Sequence, residues 1–136
     1  MIALRTVRIA LLSLCAFTPL HGAHADQPSQ PPLQVDVLAD RLDTPWGLAL
    51  LPDGRMLVTE RTGALLLLDA QGRHLASIKN VPEAFVKLQG GLLDIALHPN
   101  FEQNSTIYLS LAHGRQKHNT TRVVRAVLDG DALKDV

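Results

Sequence analysis

The sequence has 136 residues, of which 46% are hydrophobic and 19% are charged. This length has room for one domain at most, and the apolar share is that of a packed globular protein rather than a disordered chain. Thirteen basic residues balance thirteen acidic ones. The charge therefore gives no reason to expect nucleic acid or an anionic membrane as partner, and it favours a small or neutral molecule.

Residues 1–25 have the pattern of a secretory signal peptide. Arg5 and Arg8 precede an apolar run from Ile9 to Phe17, and Ala23-His24-Ala25 offers the small residues of a cleavage site. A membrane anchor is the less favoured alternative, because the run is well short of the roughly 20 residues that span a bilayer. We therefore expect a periplasmic or secreted protein, with no stable membrane insertion after the signal peptide is cleaved.

The mature chain should depend on packing alone for its stability. The only cysteine, Cys15, lies inside the predicted signal peptide, so neither a disulfide nor a thiolate metal site is available afterwards. Residues 26–33, DQPSQPPL, are rich in proline and polar side chains and predict an extended spacer.

Residues 34–136 read as an all-β domain of short apolar runs separated by turn residues. Pro52-Asp53-Gly54 and Gln71-Gly72 are placed where tight hairpin turns are expected, and Asp129-Gly130-Asp131 reads as a third. One helical turn is predicted over Val81 to Lys87. The predicted strands cover 35–38, 47–51, 56–60, 64–69, 74–79, 92–98, 107–111 and 122–128.

The sequence contains an internal repeat. WGLALLP, residues 46–52, and LDIALHP, residues 93–99, superpose at an offset of 47 residues, and a turn and a second strand follow each copy. A period in the forties with about four strands per unit is typical of a β-propeller blade. The first unit supplies four predicted strands and the second supplies three, so we expect the first one to two blades of a propeller and an N-terminal fragment of a longer protein.

Several motifs together resemble the opening of the glucose/sorbosone dehydrogenase family, close to its soluble aldose sugar dehydrogenases. The resemblance covers roughly residue 35 to the C-terminus. Thr62 departs from it, because the family often has proline there. The matching elements are Pro45-Trp46-Gly47, Pro52-Asp53-Gly54, Thr59-Glu60-Arg61, Gln89-Gly90-Gly91-Leu92-Leu93 and His98-Pro99-Asn100-Phe101.

The resemblance implies a six-bladed propeller that uses pyrroloquinoline quinone (PQQ) and Ca²⁺. It implies oxidation of the C1 hydroxyl of an aldose sugar to a lactone, with an artificial or respiratory electron acceptor. The family's general base is a histidine in a motif resembling H-x-G-G-R-L, which has no counterpart in this sequence. We therefore expect the chain to be inactive alone, and most cofactor ligands to lie outside it.

Gln89, Gly90 and Gly91 are the predicted cofactor-binding residues. Glycines before a strand allow a sharp backbone turn and a close ligand approach, and the Gln89 amide offers two donors and one acceptor. In the family this glutamine faces the sugar and the cofactor. The alternative from the residues alone is a solvated loop residue beside glycines that serve only the turn.

The histidines are predicted to have structural or solvated roles. His98 ends a strand, His74 begins one, and His113 and His118 fall in the polar loop HGRQKHNTT. His113 and His118 have no carboxylate or thiolate beside them that could complete a metal site. Two functional classes stay open: a quinone-dependent sugar dehydrogenase, and a non-catalytic extracellular binding propeller of the same domain family. A calcium-dependent lactonase is a distant third, because the sequence shows no acidic cluster.

Overall fold

Two four-stranded antiparallel sheets follow one another along the chain. A computed structural model describes residues 33–136, and the predicted signal peptide and most of the spacer lie outside the described residues. Each sheet is a simple meander in which neighbouring strands pair in sequence order. The first sheet contains β1 (Pro45–Leu50), β2 (Met56–Glu60), β3 (Leu65–Leu68) and β4 (His74–Ser77), and the second contains β5 (Leu92–Leu97), β6 (Thr106–Arg115), β7 (His118–Asp129) and β8 (Ala132–Lys134).

The predicted hairpin turns are confirmed. Between β1 and β2 the N–H of Gly54 donates to the carbonyl of Leu51 at 2.9 Å, and between β3 and β4 the N–H of Gly72 donates to that of Asp69 at 3.0 Å. Gly54 and Gly72 have φ of +86° and +77°, a left-handed conformation that glycine adopts without a steric penalty. Turn chemistry in the sequence thus sets the strand boundaries of the first sheet.

The internal repeat is confirmed as the first strand of each sheet. β1 runs from Pro45 to Leu50 and β5 from Leu92 to Leu97, so both ends are displaced by 47 residues (92 − 45 and 97 − 50). The register of each strand shifts at the same place, between Pro45 and Leu48 in β1 and between Leu92 and Ile95 in β5. The repeated unit therefore includes an irregularity in the strand as well as a hydrophobic pattern.

The main core lies between the two sheets. Its first-sheet members include Leu57, Leu65 and Leu67, and its second-sheet members include Ile107 and Leu109. Four of these five side chains are completely inaccessible to solvent. Burial of this apolar surface is the dominant stabilising term, because the described residues contain no disulfide.

The opposite face of the first sheet has a separate, smaller core. Met56, Val58, Leu66 and Leu68 pack there against Ala39, Leu42 and Ala64. Ala39 and Leu42 belong to the irregular segment that precedes β1. That segment leaves Leu48 and Leu50 of β1 exposed at 57% and 66%.

Three predictions of secondary structure need correction. Residues 35–38 do not form a strand; Val35 and Val37 are 85% and 79% exposed, and the segment joins neither sheet. Residues 81–86 have no regular structure, so the predicted helical turn is wrong. Within residues 33–136 the one helical turn is α1 (Phe101–Asn104). The second sheet has a fourth strand, β8, that was not predicted.

The polar segment with His113 and His118 is also different from the prediction. It forms the ends of β6 and β7, which pair continuously from Thr106 with Val127 to Arg115 with His118. β-branched Thr120 and Thr121 suit a strand even where it is exposed. The result is a long hairpin rather than a loop. Within residues 33–136 no helix is long and apolar enough to cross a bilayer.

Candidate active site

The glutamine and glycine motif forms a tight turn immediately before β5. The N–H of Gly90 donates to the carbonyl of Lys87 at 2.8 Å, and the N–H of Lys87 donates to that of Gly90 at 3.3 Å. Leu88 and Gln89 occupy the two central positions. Gln89 is exposed, and its side chain makes no hydrogen bond to residues 33–136. Its amide therefore keeps two donors and an acceptor for a ligand.

The two glycines pack against the protein itself. Gly91 is buried, and a Cβ atom placed on it would lie 2.0 Å from the carbonyl oxygen of Arg61. A Cβ on Gly90 would lie 3.0 Å from the carbonyl oxygen of Phe85 and 3.2 Å from the Cβ of Ala112. The absence of a side chain at Gly91 thus lets two protein backbones meet. A role of both glycines toward a cofactor stays a prediction.

Arg61 is the residue that the backbone of Gly91 meets, and it also binds the turn. Its Nη1 donates to the carbonyl of Leu88 at 2.8 Å and lies 3.4 Å from that of Gly90. Its own carbonyl accepts a hydrogen bond of 3.1 Å from the N–H of Leu92, the first residue of β5. Sequence reasoning did not assign this role, although Arg61 belongs to the quoted Thr59-Glu60-Arg61 element.

The two residues before Arg61 are buried polar side chains with specific partners. The Thr59 hydroxyl accepts a 2.8 Å hydrogen bond from the N–H of Gly47 and donates to the carbonyl of Leu93. The Glu60 carboxylate accepts a 2.6 Å bond from the N–H of Asp43. Buried polar atoms require such partners. Thr59-Glu60-Arg61 therefore binds β1, β5, the segment before β1 and the turn before β5.

A groove lies beside the turn. It has a volume of about 350 Å³ and separates the turn from the end of the long β6–β7 hairpin. Amide groups of Gln116 and Asn119 line one side. The Nδ2 atom of Asn119 donates to the carbonyl of Arg115 at 3.3 Å. The other lining residues are Phe85, Lys87, Leu88, Gly90 and Ala112.

Two of the four described histidines, His74 and His98, have local partners. His98 Nδ1 accepts a 3.0 Å hydrogen bond from the N–H of Asn100, and its ring stacks on Tyr108 with centroids 6.2 Å apart. His74 Nε2 lies 3.2 Å from the Ser77 hydroxyl. These contacts agree with the predicted structural roles of His74 and His98. His113 and His118 are not cross-strand partners, since His113 pairs with Thr120.

The acidic turn between β7 and β8 is a hairpin rather than a calcium loop. Asp131 forms a 2.7 Å ion pair with Lys79, and Asp129 pairs with Lys134. The Lys79 ammonium holds the pKa of Asp131 below its ordinary value through a hydrogen bond and its charge. No three histidine or acidic side chains among residues 33–136 come together as a metal site. The described residues therefore do not fit Ca²⁺ by themselves.

Known proteins are similar to this chain in sequence and in architecture. The family model described as Glucose / Sorbosone dehydrogenase matches residues 42–136. An uncharacterised protein from Synechocystis is 42% identical over 125 residues, which cover 86% of this chain and 30% of that protein. An aldose sugar dehydrogenase from Escherichia coli K12 is 46% identical over 79 residues, which cover 57% of this chain and 21% of that protein.

A solved structure is also similar to this chain in its fold. The PQQ-bound form of an aldose sugar dehydrogenase from Streptomyces coelicolor superposes with a TM-score of 0.63 at 31% identity, covering 74% of this chain and 31% of that one. The chain thus spans about a third or less of the length of these relatives. The two meanders are two blades of a β-propeller. With the family model covering the domain from Leu42 onward, the chain belongs to the glucose/sorbosone dehydrogenase family.

Proposed function

We propose that the protein carrying these two blades is a PQQ-dependent aldose dehydrogenase that oxidises the C1 hydroxyl of its sugar to a lactone. An artificial or respiratory acceptor would take up the electrons. Membership of the family supports the reaction class. The single observation in this chain that carries the proposal is the exposed Gln89 amide, held on a tight turn with no partner among the described residues.

The Gln89 amide can hydrogen-bond to both proposed ligands, the sugar and PQQ. Its NH₂ group can donate to carbonyl or carboxylate oxygens, and its carbonyl can accept from a sugar hydroxyl. The proposed role of Gln89, with Gly90 and Gly91 shaping its turn, is to bind and orient these oxygens. When bound, PQQ supplies the two-electron acceptor for the oxidation. Ca²⁺ is part of the proposal through the family alone, because residues 33–136 bring no ligand set together for it.

The test is sugar-dependent dye reduction by the protein loaded with PQQ and Ca²⁺, compared between wild type and Gln89→Ala. Loss of one amide contact to a substrate oxygen should lower kcat/KM by roughly ten- to a hundredfold. Gln103→Ala is the matched control, since Gln103 is also exposed but lies in α1, beyond β5. Circular dichroism should show both variants folded.

Two results would contradict this proposal. Unchanged kinetics in a folded Gln89→Ala protein would make Gln89 an ordinary solvated turn residue. Absence of any PQQ-dependent oxidation over a panel of aldoses would favour the non-catalytic binding propeller instead.

We also propose that the protein is exported and that residues 1–136 produced alone do not oxidise sugars. Export rests on the charged, apolar and small-residue pattern of residues 1–25. Mass spectrometry of secreted material should find Asp26 as the first residue, whereas an intact Met1 in a membrane fraction would contradict export. Inactivity alone rests on the missing H-x-G-G-R-L histidine, and quinone-dependent dye reduction by this chain would contradict it.

A further inference from the structure

We propose that Arg61 is a positioning residue for Gln89: its guanidinium fixes the turn that presents the Gln89 amide. The inference rests on the proposed function of Gln89. The Arg61 Nη1 atom contacts the carbonyls of Leu88 and Gly90, the residues immediately before and after Gln89. A single side chain therefore binds the backbone on both sides of the proposed ligand-binding residue.

The turn is not favoured by its own sequence. Leu88 has a φ of +53°, a left-handed conformation that disfavours a residue with a Cβ atom. Leu88 is also 84% exposed, so its side chain contributes little packing energy to offset this. A backbone in such a conformation persists only where surrounding contacts fix it. The two bonds between Lys87 and Gly90 close the turn, and Arg61 attaches it to the rest of the protein.

Arg61 is itself fixed by its backbone. Its N–H donates to the carbonyl of Thr44 at 3.0 Å, and its carbonyl accepts from the N–H of Leu92 at 3.1 Å. The space beside Gly91 is filled by the Arg61 carbonyl and side chain. The guanidinium therefore projects from a backbone whose position relative to the start of β5 is set. Because the Arg61 backbone is fixed, the hydrogen bonds of its guanidinium also restrict the position of the Gln89 backbone.

The residue type also matters. A planar guanidinium presents several N–H groups in a rigid fork and can serve two carbonyls at once, whereas a lysine ammonium is a flexible point charge. Arg61→Lys keeps the charge and loses the fork. Arg55→Lys is the matched control, because Arg55 binds Asp53 at 2.7 Å in the turn between β1 and β2.

The first measurement is amide hydrogen exchange in the PQQ-free protein. In Arg61→Lys, a peptide spanning residues 86–91 should exchange about tenfold faster than in wild type, as expected for loss of a hydrogen bond to a charged group. The same peptide in Arg55→Lys should exchange at the wild-type rate. Equal exchange in Arg61→Lys and wild type would overturn the proposal.

The second measurement is a double-mutant cycle on kcat/KM with PQQ, Ca²⁺ and an aldose. Arg61→Lys should lower kcat/KM about three- to tenfold in the wild-type background and less than about twofold in Gln89→Ala, because the two residues act as one unit. Equal losses in both backgrounds would make Arg61 a general structural residue. A neutral Gln89→Ala would overturn the role of Gln89, while hydrogen exchange still decides whether Arg61 holds the turn.

Discussion

The hydroxyl of Thr59, in the first sheet, donates a hydrogen bond to the carbonyl of Leu93, in the second sheet. The same oxygen accepts a hydrogen bond from the N–H of Gly47 in β1. One fully buried side chain thus connects three strands of two blades. Thr59 lies two residues before Arg61, and Leu93 lies two residues after Gly91. The bond therefore connects the two sheets next to the candidate site.

Thr59→Val should destabilise the protein by about 2 to 3 kcal/mol, because it leaves the buried N–H of Gly47 and the partly buried carbonyl of Leu93 without their partner. The free energy of unfolding from urea titration is the measurement. Thr59→Ser is the control, since it keeps the hydroxyl and loses only a methyl group. A Thr59→Val protein as stable as wild type would show that the shape of the side chain, rather than its hydroxyl, is what matters.

Gly91→Ala should destabilise the protein by at least about 3 kcal/mol, since the new Cβ atom meets the Arg61 carbonyl and the backbone must move. Gly63→Ala is the matched control: Gly63 also has a positive φ, +114°, but has nothing within 4 Å of its Cβ position. We expect about 1 to 2 kcal/mol there from backbone strain alone. If thermal unfolding shows that Gly91→Ala and Gly63→Ala lose the same amount of stability, the steric explanation for Gly91 is wrong.

Leu88→Asn should stabilise the protein by about 0.5 to 1 kcal/mol, because asparagine tolerates the left-handed conformation better than leucine. Little apolar burial is lost, as Leu88 is 84% exposed. Leu33→Asn is the control: Leu33 is 96% exposed and is not among the residues with positive φ, so its unfolding temperature should not change. A destabilised Leu88→Asn would mean that the exposed leucine makes a contact of its own.

Asp69 should contribute an acid-sensitive part of the stability. Its pKa is lowered because its carboxylate accepts hydrogen bonds from the N–H and the guanidinium of Arg73 and from the N–H of Gln71. A carboxyl with a lowered folded-state pKa stabilises the fold above its unfolded pKa, and this contribution disappears as the pH falls through the folded value.

The measurement for Asp69 is the difference in unfolding free energy between wild type and Asp69→Asn as a function of pH. The difference should be constant above about pH 5 and shrink below about pH 4. Asp40→Asn is the control, because the Asp40 ion pair with Arg41 is long, at 3.9 Å, and exposed. A wild-type advantage that does not shrink at all as the pH falls below about 4 would contradict the assignment.

Most strands of the fold were predictable because the sequence marks both their faces and their turns. Pro52-Asp53-Gly54 places the first hairpin, and the 47-residue offset places β5 from β1. Residues 35–38 misled for a physical reason: they have apolar alternation, but the segment lies outside both sheets. α1 has only four residues, too few to show a helical period.

The candidate site was predictable only in part. Gln89 could be assigned to the site because its motif is specific, and the structure places it on a turn before β5; its role toward a ligand stays a prediction. Arg61 was not, because it is 28 residues from Gln89 in sequence (89 − 61) and meets the turn only through the contact between two sheets. The end of the β6–β7 hairpin also escaped prediction, since its polar residues look like a loop until cross-strand pairing is known.

The irregularity shared by β1 and β5 has a consequence for protein design. The first strand of each sheet shifts register at the same point of the 47-residue unit, so residues 45–91 contain one complete sheet, its register shift and the connection to the next copy. Such a segment is one repeat, whose apolar face is buried against the next copy. A synthetic gene that joins identical copies of it should give a ring with rotational symmetry. In that ring the Gly91 of every unit should pack against the Arg61 of the same unit.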